Sequence, residues 1–187
     1  ATYMEHPRFH PFVAFKLPMA AHQAGAFKQL PRIKVLWSLR DPRDVVLSMC
    51  RLALKTQDGK AEPWSSHPNG ATREIKQCLD VLQGTLDNDL PQRLIEFEQI
   101  RLRPRNTWTR DDHITVAALC WRLKQELLDA YNRERIDYII VQYEKLIADP
   151  RENISTILEF IGAPWHDNVL RHHSLHSGVS VGNTDNT

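Results

Sequence analysis

No apolar run in the 187 residues approaches the roughly 20 that a helix needs to cross a bilayer. The start shows no signal-peptide pattern. Net charge is nearly missing too: 24 Lys and Arg stand against 23 Asp and Glu, a formal charge of +1. A chain so balanced has no global field that favours nucleic acid, and any anion site must come from local placement. Cysteine is scarce. Cys50, Cys78 and Cys120 form an odd, scattered set, each inside an apolar helical pattern. That excludes a disulfide framework and predicts buried free thiols in a reducing, cytoplasmic compartment. No internal repeat or low-complexity tract appears.

What is present is ordinary. Hydrophobic residues at 42% and charged residues at 25% argue against disorder, and the length suits one domain with a proper core. The chain opens at Ala1 and closes in Val181-Gly182-Asn183-Thr184-Asp185-Asn186-Thr187, which carries no helix or strand signal, so both ends read as cut. Between them, Phe12 to Phe15 suggests a short strand. Ile33 to Trp37, broken only by Lys34, predicts a strand covered on both faces. Val45, Val46, Met49, Leu52 and Ala53 recur at helical spacing, and 56–72, with Gly59, Pro63, Pro68 and Gly70, reads as a surface loop. Ile75, Cys78, Leu79, Leu82 and Leu86 form one helical stripe, and Pro91 precedes a second helix through Leu94, Ile95 and Phe97.

A long helix is expected from about Asp111 to Glu134, with Ile114, Ala117, Ala118, Trp121, Leu128 and Tyr131 on one face. Ile136 to Val141 is a second dense apolar strand. Asp149 then suits an N-cap and Pro150 the first helical position. Ile154, Ile157, Leu158 and Ile161 give the apolar stripe, which Gly162 and Pro164 end. Dense strands alternating with amphipathic helices predict an α/β layered fold with a parallel sheet.

The most unusual stretch is Arg40-Asp41-Pro42-Arg43-Asp44, where the first strand hands over to a helix. Asp41 is placed to cap that helix and Pro42 to take its first position. A helix N-terminus beyond the C-terminal end of a parallel strand offers N–H groups and partial positive charge to an anion. Arg40 adds a planar fork that can hold a phosphate bidentately. Ser48 lies two turns further in and reaches the same anion only if the ligand lies along the helix. The alternative is an Arg–Asp ion-pair cluster with Ser48 as a small packing residue, and composition alone does not choose between them.

The string Arg40-Asp41-Pro42-Arg43-Asp44-Val45-Val46-Leu47-Ser48 closely resembles the 3′-phosphate-binding segment of the PAPS-dependent sulfotransferases. There a strand ends in Arg, with a Ser eight residues later, and both bind the 3′-phosphate of 3′-phosphoadenosine 5′-phosphosulfate (PAPS). The resemblance carries that role to Arg40 and Ser48. Tyr143-Glu144-Lys145-Leu146, followed by Asp149-Pro150 and a helix to Gly162, resembles the family's second strand-to-helix stretch. This implies a place beside the nucleotide for Tyr143, although a strand-end aromatic that only packs fits the same pattern. Phe15-Lys16-Leu17-Pro18 resembles the segment whose Lys neutralises charge on the transferring sulfuryl group. The closing stretch around Gly182 resembles a loop that approaches the nucleotide.

The resemblance covers about residues 12 to 187. It implies one sulfotransferase-like domain over residues 1–187, cut at the front and by the same sign at the back. The implied fold is three-layer αβα around a central parallel sheet, P-loop NTPase-like. The implied activity is sulfuryl transfer from PAPS to a hydroxyl or amine of a small-molecule or glycan acceptor, with 3′,5′-ADP as product. Two features of the family are missing. No Ser/Gly/Thr-rich phosphate loop and no G-x-x-x-x-G-K-[ST] occur, which fits a chain cut at the front; a P-loop kinase relative is the runner-up among enzymes, but its Walker Lys and Mg²⁺ ligands are not found. Pro18 stands where eukaryotic cytosolic members carry their catalytic His. The base is not assigned by motif, and His10 and Glu5, upstream of Lys16, are the candidates. These gaps leave a second possibility, a non-enzymatic interaction protein that retains the fold.

Other clusters carry less. His172, His173 and His176 lack the Glu of H-E-x-x-H and any nearby Cys, so no metal site is expected. Trp37 and Trp121 sit in core patterns, whereas Trp64 and Trp108 lie in loop-like stretches suited to an acceptor pocket. Arg101-Leu102-Arg103-Pro104-Arg105 is too short and isolated to argue for nucleic acid. Nothing in the sequence specifies an oligomeric state.

Overall fold

Residues 14–17, 20–57, 70–82 and 90–171 are described by the computed structural model. Their elements run α1 (Ala24–Phe27), β1 (Lys34–Leu39), α2 (Pro42–Gln57), α3 (Gly70–Val81), α4 (Leu90–Arg101), α5 (Arg110–Glu126) and α6 (Leu128–Arg133). β2 (Asp137–Gln142), α7 (Tyr143–Ala148) and α8 (Pro150–Ile161) follow, with short 3-10 turns at Arg105–Thr107 and Asp167–Arg171. The architecture is a helix-rich α/β fold in which β1 pairs with β2 in a small parallel sheet. The chain clusters into two compact units. Among the described residues no helix is long and apolar enough to cross a membrane.

The larger unit holds Arg40–Tyr138 together with the segment before Leu36. Its centre is α5, against which α2, α3 and α4 all pack. Thr109 starts this helix with a capping box. Its hydroxyl accepts from the Asp112 N–H at 3.2 Å, and the Asp112 carboxylate accepts from the Thr109 N–H at 2.7 Å. The buried face then runs through His113, Val116, Ala117, Leu119, Cys120 and Leu123 to Leu127, Ala130 and Tyr131. Ile114 and Ala118, expected inside, are exposed. A helix packed by three neighbours buries a wider face than the apolar stripe alone marks out. The expected single helix is also two, because the chain re-initiates at Leu127 between α5 and α6.

Trp108 lies between the 3-10 turn and α5. It is 7% exposed, its indole N–H donates to the Arg103 carbonyl at 3.3 Å, and its ring lies 5.4 Å from that of His113. It is part of the core. Trp121 is half-buried. The loop expected over 56–72 is narrower as well, since α2 continues to Gln57 and α3 begins at Gly70. Helix ends rich in Gly and polar residues lack apolar periodicity, although their backbone hydrogen bonding is helical.

Between α3 and α5 lies a buried charge pair that no periodicity marks. Lys124 Nζ stands 2.6 Å from Glu74 Oε1, and the Cys120 thiol donates to Glu74 Oε2 at 3.6 Å. Glu74 is 4% exposed. Burial, and then the Glu74 charge, push the Cys78 thiol up to about 12, and the same causes raise Cys120. All three cysteines are free and buried, so the inert thiols expected from their apolar settings are present.

The chain enters both strands through an arginine in the left-handed region, Arg32 (φ 56°) and Arg135 (φ 54°). At the second, Ile136 N–H bonds the Tyr131 carbonyl and Arg135 N–H the Asn132 carbonyl, each at 3.1 Å. This is a Schellman ending with Arg where Gly is usual. The buried Ile136 supplies the apolar anchor after it.

The smaller unit comprises Leu36–Leu39 and the described residues 139–171. Its strands differ from the expectation of cover on both faces: Trp37 is buried, but Leu36 is 45% and Ile140 50% exposed. Among the described residues the sheet has two strands, and so small a sheet offers little area for helices to cover. After β2, α7 turns into α8 at Asp149-Pro150. The Asp149 side chain accepts from the Glu152 N–H at 3.0 Å, and Pro150 takes the first turn. Asn153 Nδ2 donates to the carbonyls of Lys145 (3.0 Å) and Asp149 (2.8 Å), which fixes the corner. Gly162 (φ 75°) ends α8 in a Schellman turn, with Ala163 N–H on the Leu158 carbonyl at 2.8 Å. The expected stripe of Ile154, Ile157, Leu158 and Ile161 is the half-buried face of this helix.

Two outcomes follow for stability. Lys124→Met strands the Glu74 carboxylate in the interior and costs about 3 kcal/mol in urea unfolding, and a Lys124→Met, Glu74→Leu double variant recovers most of it. Arg135→Gly removes left-handed strain and raises stability by up to about 1 kcal/mol, read as a higher Tm.

Candidate functional site

Arg40 directly follows β1, and Asp41 closes the N-terminus of α2. Asp41 Oδ1 accepts from the Arg43 backbone N–H at 2.9 Å, and the Asp41 carbonyl takes the first helical bond, from the Val45 N–H at 3.1 Å. The cap and the Pro42 start expected from the sequence are both present. The Arg43 guanidinium folds back on the same carboxylate, with Nη2 2.5 Å from Oδ2 and Nε 3.0 Å from Oδ1. That side-chain pairing, helped by the Arg43 backbone N–H, holds the Asp41 carboxyl down at about 2. The residues of this turn therefore pair off: Arg43 with Asp41, and Arg40 with Asp44 at 3.3 Å.

Helix register adds what the string alone does not display. Asp44 and Ser48 are four apart on one face of α2, about 6 Å apart along its axis. Arg40 precedes the Asp41 cap and lies outside the helix, and its side chain reaches Asp44 at 3.3 Å. Ser48 is exposed. Arg40 and Asp44 keep 45% and 56% of their side chains exposed.

The other sequence-named residues lie elsewhere. Tyr143 directly follows β2 as the first residue of α7, 40% exposed, in the smaller unit. Lys16 belongs to the exposed segment 14–17, which has no regular structure, so the strand expected to reach Phe15 does not form over Ala14 and Phe15. Glu5, His10, Gly182, the His172–His173–His176 group and Trp64 fall outside the described residues. Among the described residues no group of His, Cys, Asp and Glu is arranged to hold a metal ion. An open depression of about 390 Å³ lined by Glu96, Gln99, Ile100, Arg103 and Asp112 contains none of the named residues, and its Arg103 and Asp112 neutralise each other.

A family model described as the sulfotransferase domain matches residues 4–180. The chain belongs to the sulfotransferase domain family. Comparison with curated proteins and with solved structures gave no significant match. The sulfotransferase match spans both charged strand-to-helix turns, the one at Arg40 and the one at Tyr143.

Two features of this sulfotransferase domain are not marked by the resemblance. Asp44 pairs with Arg40 at 3.3 Å. His22, in the turn that Gln23 N–H closes on the Ala20 carbonyl at 2.9 Å, buries its Nδ1 without a hydrogen-bond partner. No motif marks it.

The Asp41 pairing has a pH signature. Its carboxylate is favoured by folding, so its contribution is whole above the ordinary aspartate range and fades as pH falls toward about 2. A carboxyl-carbon NMR titration is expected to place the Asp41 midpoint near 2. Arg43→Ala is expected to return it toward the ordinary aspartate range, and a wild-type midpoint near 4 would exclude the pairing.

Proposed function

We propose that this sulfotransferase domain moves a sulfuryl group from PAPS to a hydroxyl or amine of a small-molecule or glycan acceptor. The acceptor oxygen or nitrogen attacks sulfur, the bond from sulfur to the bridging phosphate oxygen breaks, and 3′,5′-ADP leaves. The acceptor proton passes to a base. In-line transfer of this kind asks the protein mainly to position reactants and neutralise charge.

One observation carries the reading. In a chain that matches the sulfotransferase domain, a parallel strand delivers Arg40 to the capped start of α2, with Ser48 about two turns into that helix. In the proposed complex Arg40 and Ser48 hold the 3′-phosphate and Tyr143 lies beside the nucleotide. The Gly182 loop approaches the nucleotide, and Lys16 neutralises the transferring group. His10 and Glu5 are the base candidates from the sequence, and the unpartnered Nδ1 of His22 adds a third. We further take the chain as one domain of the three-layer αβα kind, a reading supported by the parallel strand pair and the length of the family match. The three free, buried cysteines support a reducing, cytoplasmic setting.

Titration with 3′,5′-ADP tests the nucleotide. A ligand at 100 times its Kd stabilises by about 2.7 kcal/mol, a clear upward shift in Tm. Arg40→Ala is expected to weaken binding about 10- to 100-fold through loss of a charge-assisted contact, and Ser48→Ala about fivefold. No shift, or an equal shift in Arg40→Ala, overturns the assignment. Binding without turnover of PAPS over a panel of hydroxyl and amine acceptors would favour the interaction-protein alternative.

A further inference from the structure

The four charges at the start of α2 sum to zero, and each carboxylate contacts an arginine. The two pairs are unequal. Arg43 meets Asp41 through three nitrogen–oxygen contacts of 2.5, 3.0 and 3.2 Å. Arg40 meets Asp44 through a single contact at 3.3 Å, beyond the usual hydrogen-bond range. Both pairs reach solvent, where an ion pair contributes little, so the number and length of their contacts rank them. The Arg40–Asp44 pair is thus the one that opens.

Position makes the opening consequential. Asp44 is the third helical residue of α2, where a carboxylate is favoured by the positive end of the helix dipole. Its carboxylate also contacts Arg40, and it lies one turn before Ser48 in the same helix. Asp44 therefore uses the guanidinium and the helix terminus that an incoming phosphate would use. We propose that Asp44 is a built-in counter-ion that stands in for the phosphate, and that the 3′-phosphate of the nucleotide displaces it from Arg40. It acts as a specificity filter: a phosphate monoester carries more charge and more acceptor oxygens than a carboxylate and wins the exchange, whereas weaker anions do not. The inference rests on the nucleotide reading above, and extends it to a residue that touches no nucleotide.

Calorimetric titration of wild type, Asp44→Asn, Arg40→Ala and the double variant, each with 3′,5′-ADP and with 5′-AMP, tests it. Asp44→Asn should tighten 3′,5′-ADP about two- to fivefold, the scale of the exposed ion pair that the ligand no longer has to open. It should leave 5′-AMP within about twofold, and should have no effect in the Arg40→Ala background. Asp44→Ser, with circular dichroism on every variant, guards against a fold change. Weaker or unchanged 3′,5′-ADP binding, an equal gain for 5′-AMP, or a gain that survives Arg40→Ala overturns the counter-ion role and leaves the nucleotide reading standing. Wild type that binds 3′,5′-ADP no better than 5′-AMP brings down both.

Discussion

A chain that leaves a strand and starts a helix at once must satisfy the first helical N–H groups within two residues, and the structure turns on how Asp41 does this. Its carboxylate takes the Arg43 backbone N–H and the Arg43 guanidinium together, so the start of α2 is set to the residue. Once that start is set, Asp44 and Ser48 follow one turn apart on one face of α2. A cap one residue later would rotate α2 by about 100° and turn that face away from Arg40. The same Asp-Pro pair at 149–150 starts α8, where Asn153 locks the corner against α7.

In the proposed reading, a chain of almost zero net charge recognises an anion through local placement. Strand end, helix terminus and one arginine are concentrated in five residues, with carboxylates paired to the arginines. In the proposed sulfuryl transfer this is the anchoring end of the nucleotide, and specificity resides in which anion displaces Asp44.

Elsewhere stability comes from an arrangement with no local logic. Glu74 and Lys124 lie fifty residues apart in sequence and meet at 2.6 Å in the interior, with the Cys120 thiol on the other carboxylate oxygen. A buried pair of this kind contributes little over well-packed apolar residues, but either partner alone is costly. It therefore ties α3 and α5 to one register. The left-handed Arg32 and Arg135 show a comparable trade, in which local strain is tolerated because the turn delivers the chain into a strand.

The sequence by itself determined what neighbouring residues decide. Asp41-Pro42 and Asp149-Pro150 as helix starts, Gly162 as a stop, the two strand runs and the α8 stripe were all legible, because a cap or a period acts within a few residues. The charged knot and the Tyr143 turn were legible for the same reason, and they carried the family resemblance. Only the tertiary structure decided which face of α5 is buried, that Trp108 is core, that Leu36 and Ile140 stay exposed, and that Glu74 is inside with Lys124. Those outcomes depend on which helices pack against which. Burial is a property of the partner surface, and no residue carries its partner's position in its own sequence neighbourhood.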